Sequence, residues 1–174
     1  DDEINRVIET QHYEQRQQLF WNCGPEEDTE FLPVGVDRCG PDLLNPMVGR
    51  GASIADIDGD GDLDILVTSV GRPPRLLRND QQLGHHWLRF QLTGSTCNRD
   101  AIGASIEVEL PDRILRREVM PTCSYLSQVE LPVTFGLGEN DTVVRVTIHW
   151  PDGTQQLVSI DEVDLTLRVQ QDAE

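Results

Sequence analysis

The sequence predicts an all-β fold whose C-terminal half is an antiparallel domain resembling a β-sandwich. Polar and apolar residues alternate with a period of two in several segments, as at Leu88, Phe90 and Leu92. Such alternation indicates strands with one buried and one solvated face. A run of aspartates at 56–64 lies between two apolar, β-branched segments. Beyond residue 85 no segment has the period expected of a long helix.

In chain order, the sequence predicts a short helix near Ile4 and Ile8, then a loop at 39–47, where prolines and Gly40 interrupt any regular pattern. The predicted strands are 52–55, 65–68, 75–79, 88–92, 106–110, 144–150, 155–160 and 165–169. The Asp-Gly turn at 151–153 favours a tight hairpin between two of them. Because the alternation becomes regular beyond residue 85, we divide the chain into domains at 1–84 and 85–174.

The chain is strongly acidic, with 31 acidic and 14 basic residues and a formal charge of −17. It contains no lysine, so every basic residue is an arginine. This balance excludes nucleic acid as a partner, because no basic stripe is present to displace phosphate counterions. Divalent cations are natural partners of the excess carboxylates. The same charge would also favour solubility or suit a saline habitat.

No segment contains the roughly 20 consecutive apolar residues that a membrane-spanning helix needs. The acidic start, Asp1-Asp2-Glu3, is the reverse of the basic start of a signal peptide. If the protein is exported, we expect a signal upstream that has been removed, or a longer parent chain. Association with a membrane would then depend on a partner or on a missing segment.

Four cysteines, Cys23, Cys39, Cys97 and Cys123, form no C-x-x-C pair, and no histidine completes a zinc-binding spacing. Three pairings are possible. We favour Cys23–Cys39 and Cys97–Cys123, because each pair then brackets a compact segment within one predicted domain. Closing such loops would contribute about 3 kcal/mol each and would imply an oxidising compartment. The alternative is four buried thiols.

The run from Asp56 to Asp64 has the spacing of a calcium-binding loop. With Asp56 as position 1, carboxylates fall at positions 1, 3, 5 and 9, at Asp56, Asp58, Asp60 and Asp64. Position 7 is Asp62, whose main-chain carbonyl is the expected ligand, and Gly61 permits the sharp turn around the ion. The sequence therefore predicts structural Ca²⁺ held by residues of this run.

This loop differs from an ordinary EF-hand, because position 12 is Val67 instead of a bidentate glutamate and the flanking residues favour strands. Magnesium fits less well, since its rigid octahedral geometry suits a pliable loop poorly. Without a cation, the clustered carboxylates would repel one another. An unoccupied acidic turn is the remaining alternative.

The segment 51–64 resembles the calcium loop of FG-GAP/VCBS β-propeller repeats, which is also found in integrin α-subunit propellers. Segments 19–22 and 76–79 resemble the leucine-x-x-asparagine element of such repeats, which implies partial blades only. Four motifs downstream resemble, in order, the ASPIC/UnbV domain that closes cartilage acidic protein-like secreted proteins and their bacterial relatives. They are Asn98–Ala104, Ser124–Gln128, Phe135–Gly138 and Trp150–Gly153.

The resemblance implies a non-catalytic, extracytoplasmic module for protein interaction or adhesion, secreted, periplasmic or at the cell surface, with calcium as a structural ion. Two alternatives stay open: an accessory subunit of a larger extracytoplasmic, membrane-associated assembly, and a carbohydrate-active or metal-dependent hydrolase that uses clustered carboxylates or metal-activated water. No catalytic residue is carried over by the resemblance. Ser124 has no histidine with a defensible place beside it.

Overall fold

The computed structural model describes residues 13–23 and 29–173. The helix predicted near Ile4 and Ile8 lies outside these residues. The described residues form a nearly all-β structure with one helix, α1 (Val36–Leu43). The strands are β1 (Phe20–Asn22), β2 (Phe31–Pro33), β3 (Gly49–Ala55), β4 (Asp64–Ser69), β5 (Arg75–Leu77), β6 (His86–Thr93), β7 (Ser105–Glu109), β8 (Ile114–Glu118), β9 (Val133–Gly138), β10 (Arg145–His149), β11 (Gln155–Val158) and β12 (Leu165–Gln170).

The chain divides into two compact units. The first comprises the chain up to Ala52 together with Leu66–Leu77, and the second comprises Ser53–Ile65 together with Arg78–Glu174. This division differs from the predicted boundary at residue 84. It assigns the aspartate run to the same unit as the C-terminal β domain.

The first unit contains the antiparallel pair β1–β2 and helix α1. The prediction of a loop at 39–47 is wrong in part, because α1 occupies its beginning. Gly40 has a φ of 72° and breaks α1 into two turns, and Pro41 suits the first position of the second turn because its φ is already helical. The proline and glycine signals thus mark a kink. The apolar side chains of Leu43, Met47 and Val67 are buried.

Strands β3, β4 and β5 form a sheet in that order. Strand β3 ends at Ala55 and β4 begins at Asp64, which confirms that strands flank the aspartate run. A propeller blade has four strands, whereas this sheet has three within the described residues. The assignment of partial propeller blades therefore stays a prediction.

The second unit contains a four-stranded sheet, β11-β10-β7-β8, and a three-stranded sheet, β12-β6-β9. Adjacent strands are antiparallel except for β12 and β6, which are parallel, with Leu165 opposite Leu88. The prediction of a purely antiparallel domain is therefore wrong at this pair. The physical reason is that side chains alternate with a period of two in parallel and in antiparallel strands alike. The pattern therefore shows which face of a strand is buried but not the direction in which the strand runs.

One hydrophobic core joins the inner faces of these two sheets, as in a two-layer β-sandwich. Phe90 of β6 and Phe135 of β9 pack edge to face with their ring centroids 5.8 Å apart, and Ile106 and Ile148 of the other sheet are fully buried. Trp150 is buried beside them.

The predicted hairpin between β10 and β11 is confirmed. The two strands pair antiparallel, and the N–H of Trp150 donates to the carbonyl of Thr154 at 2.9 Å. No helix in the described part of the chain is both long and apolar enough to cross a membrane.

Candidate metal centre

The aspartate loop runs from Asp56, the first residue after β3, to Asp64, the first residue of β4. Gly59 and Gly61 have φ values of 79° and 94°, in the left-handed region that favours glycine. The backbone at Gly61 therefore makes the sharp turn that the sequence predicts. A side chain at Gly61 would overlap the indole of Trp87, because the loop packs directly against that ring.

Three of the predicted ligands converge. Carboxylate oxygens of Asp56, Asp58 and Asp60 lie within 4.8 Å of one another. Calcium takes hard oxygen ligands at flexible geometry, and carboxylates at alternate positions of a loop are a common way to supply them. The donor set and its spacing fit a divalent cation of this kind.

The carboxylates of Asp62 and Asp64 are not part of the converging group. Those of Asp64 accept N–H bonds from Ile57, at 3.0 Å, and Asn79, at 2.8 Å, which closes the base of the loop. The Asp62 carboxylate accepts a bond from the side chain of Gln81 at 2.8 Å. Ligation through the Asp62 carbonyl and the Asp64 carboxylate stays a prediction.

Burial, and to a smaller extent the neighbouring carboxylates, raise the pKa of the Asp62 carboxyl. Burial is the largest cause that raises the pKa of the Asp62 carboxyl above its ordinary value, and the hydrogen bond from Gln81 acts in the opposite direction. The carboxylates of Asp60, Asp56 and Asp64 raise this pKa further, since like charges disfavour ionisation. Like charge around Asp62 thus adds to the effect of its burial.

Two arginines offset part of this repulsion. An Nη of Arg89 lies 2.6 Å from Oδ2 of Asp56, and an Nη of Arg78 lies 2.8 Å from Oδ2 of Asp58. The Arg89 pair is enclosed, with side chains 11% and 1% exposed, whereas the Arg78 side chain is 55% exposed. Because solvent screens an exposed pair, Arg89 is the stronger partner of the two.

Glu130 completes a ring of contacts around Asp56. The second Nη of Arg89 forms an ion pair with Glu130, and the other oxygen of Glu130 accepts the N–H of Asp56 at 3.0 Å. The sequence did not predict this ring, since Arg89 and Glu130 are 41 residues apart. The only local signal is that Arg89 occupies a polar position between buried Leu88 and Phe90.

All four cysteines are free thiols in the structure. The sulfur of Cys39 lies 3.6 Å from the carbonyl of Gly40, and that of Cys97 lies 3.5 Å from the carbonyl of Asn98. Cys97 also packs against the core, while Cys123 is exposed. The pairings Cys23–Cys39 and Cys97–Cys123 are therefore not formed in the structure and stay predictions.

A second polar cluster lies at the β10–β11 turn, around Asp152. Hydrogen bonds from Thr96, and then from Thr154, hold the pKa of the Asp152 carboxyl far below its ordinary value, and Gln171 also contributes. The buried amide of Gln171 accepts the N–H groups of Ser95 and Thr96 and donates to Asp152. These hydrogen bonds join the β10–β11 turn to the Ser95–Thr96 segment, so the cluster anchors the turn.

Residues 94–174 match the family model described as ASPIC and UnbV. The chain is also similar to cartilage acidic protein 1 of Mus musculus, at 28% identity over 142 residues, covering 77% of this chain and 22% of the relative. The Homo sapiens protein of that name is 30% identical over 124 residues, which cover 68% of this chain and 18% of the relative. Cartilage acidic protein 1 of Xenopus tropicalis is 29% identical over 109 residues, which cover 60% of this chain and 16% of the relative.

The chain thus spans about a fifth of the length of the curated relatives it matches. The resemblance predicted for the C-terminal domain is confirmed, while the FG-GAP/VCBS resemblance at 51–64 stays a prediction.

Proposed function

We propose, with the ASPIC and UnbV match of residues 94–174 as the premise, that the chain is a non-catalytic, calcium-stabilised module for protein interaction outside the cytoplasm. The observation that carries this proposal is the convergence of Asp56, Asp58 and Asp60 in a loop bonded to the β domain. The relatives named cartilage acidic protein 1 support an extracellular setting.

A bound calcium ion would supply the positive charge that three converging carboxylates need in order to lie close together. Asp56, Asp58 and Asp60 would hold it through side-chain oxygens. Asp60 would be the most dispensable of the three for the fold, because its carboxylate is exposed and accepts a hydrogen bond from the nearby N–H of Asp62 at 2.9 Å. Asn at position 60 keeps that acceptor and removes the charge.

We expect calcium at a hundredfold excess over Kd to stabilise the wild-type chain by about 2.7 kcal/mol. For a chain of this size, this corresponds to a rise in Tm of about 5–10 °C. Chelation should reverse the rise, and Asp60→Asn should reduce it, because an amide oxygen is an uncharged and weaker calcium ligand than a carboxylate. Calorimetry in calcium and in chelator measures both, with Asp161→Asn as a control for the loss of one exposed charge. A wild-type melting curve that is identical in both buffers would refute the calcium site.

Apolar side chains exposed on the second unit support the interaction role. Tyr125 and Leu126, which are 63% and 90% exposed, lie in the loop closed by the bridge between Thr122 and Gln128, and Met120, which is 56% exposed, shortly precedes that loop. We call these three residues the tip patch. Leu126 has a φ of 48°, which is a costly conformation for a leucine and often marks a functional position. Met120 also lines an apolar groove of about 500 Å³ together with Leu131. Protein partners commonly cover surfaces of this kind.

Leu126→Asn should weaken the binding of extracellular matrix proteins to the immobilised chain at least about tenfold, as expected for a residue at the centre of an interface. Asparagine tolerates the left-handed φ at this position, so the fold should be retained. Leu157→Asn is the matched control, because Leu157 is 71% exposed and lies on β11. Surface plasmon resonance with a fractionated cartilage matrix extract measures the effect. Equal binding by the two variants would argue against the tip patch.

A further inference from the structure

The contacts of Arg89 bear on how the loop would take up a cation. Arg89 contacts a carboxylate of the converging group through one Nη and Glu130 through the other. The Arg89 side chain is only 11% exposed, so its charge is poorly screened. It therefore supplies Asp56 with a positive partner in the absence of metal.

We infer that Arg89 is an internal cation that competes with calcium for Asp56, and that Glu130 draws Arg89 away from this carboxylate. Together the two residues set the affinity of the loop for calcium. This inference rests on the proposed calcium site and deepens it. Neither residue is a predicted ligand, so both act on the ion through Asp56 and through the charge that they place near it.

The hydrogen bonding of Asp56 explains the competition. Its Oδ1 accepts the N–H of Gly59 at 2.7 Å, and its Oδ2 accepts the N–H of Gly61 at 3.2 Å as well as the Arg89 ion pair. A cation held by the cluster must share this carboxylate with Arg89. The second arginine is a weaker competitor, because Arg78 is largely exposed and also pairs with Asp80.

Arg89→Met keeps most of the aliphatic stem and removes the charge. We expect it to tighten calcium binding about tenfold, since a positive charge near the ion is lost and Asp56 is released. Glu130→Gln keeps an acceptor for the N–H of Asp56 but no longer attracts Arg89. We expect it to weaken binding at least about threefold, because Arg89 then pairs with Asp56 alone.

Isothermal titration of the full chain with calcium chloride measures both affinities. Opposite shifts support competition, whereas weaker binding in both variants would mean that the ring is only a structural brace and would overturn the inference. Arg116→Met is the matched control. Arg116 lies on β8 and pairs with Glu107 on the adjacent strand β7, in the sheet that does not contain Arg89, and its side chain is 74% exposed. Its affinity should stay within about twofold of the wild type.

Arg89→Lys gives a second test if Arg89→Met does not fold. An ammonium cannot span both carboxylates as the guanidinium does, but it keeps the positive charge near Asp56, so the affinity should stay within about threefold of the wild type, and a tenfold gain would overturn the inference. No calcium binding by any variant would overturn the proposed site and the inference with it. Calcium binding by the wild type, with equal or weaker binding by Arg89→Met, would overturn the inference alone.

Discussion

Gly61→Ala is expected to lower the free energy of unfolding by about 3 kcal/mol. Part of this loss is backbone strain, because a φ of 94° costs an alanine about 1–2 kcal/mol. The rest comes from packing, since a Cβ at this position would overlap the indole of Trp87 and force the ring or the loop to move. Urea unfolding followed by tryptophan fluorescence measures the loss.

Gly59→Ala is the matched control for this substitution. Gly59 also has a left-handed φ, of 79°, but a Cβ there would meet nothing within 4 Å. We therefore expect only the strain cost, about 1–2 kcal/mol. The difference between the two variants reports how tightly the loop packs against Trp87 of β6. Equal losses would contradict the packing of the loop on that ring.

Asp56→Ala is expected to destabilise the calcium-free chain by about 3 kcal/mol. Removing one partner of a buried ion pair costs about 3–5 kcal/mol, because a buried charge is left uncompensated. We expect the lower end of this range, since Arg89 keeps its ion pair with Glu130. The substitution also leaves the N–H groups of Gly59 and Gly61 without their acceptor.

Comparing Asp56→Ala with Asp58→Ala separates the contribution of burial to stability from the contribution of charge. Asp58 is also a predicted ligand and also pairs with an arginine, but both side chains of that pair are partly open to solvent. An exposed ion pair contributes about 0–1 kcal/mol, so we expect a loss of that size. Both variants should be unfolded in chelator to exclude any contribution from metal. Equal costs would contradict the structural role of Asp56.

The regular strands of the second unit could be predicted because burial of one face is encoded locally. The alternation predicted strands at 106–110 and 165–169, and the structure has them at Ser105–Glu109 and Leu165–Gln170. Strand β8 was missed, because it is an edge strand that is mostly exposed and its residues Ile114–Glu118 do not alternate. Without a buried face, an edge strand carries little periodic signal.

The candidate site was also predictable only in part: the sequence indicated the converging carboxylates but not the position of Asp64. The spacing of Asp56, Asp58 and Asp60 indicated a turn that brings their carboxylates together, and they converge. The different position of Asp64 was not predictable, because its partners include Asn79, which lies 15 residues further along the chain. The N–H bond from Asn79 depends on where that segment packs.

By itself, the sequence determined the strand-flanked aspartate loop, the alternating strands and the resemblance of the C-terminal domain to ASPIC/UnbV, because these depend on residues close together in the chain. Only the tertiary structure decided that β12 runs parallel to β6 and that the loop belongs to the unit of the β domain. It also decided that Arg89 and Glu130 enclose Asp56, although Glu130 lies 74 residues from that aspartate. Contacts at such separation arise from packing of the sheets, which local patterns of charge and hydrophobicity do not encode.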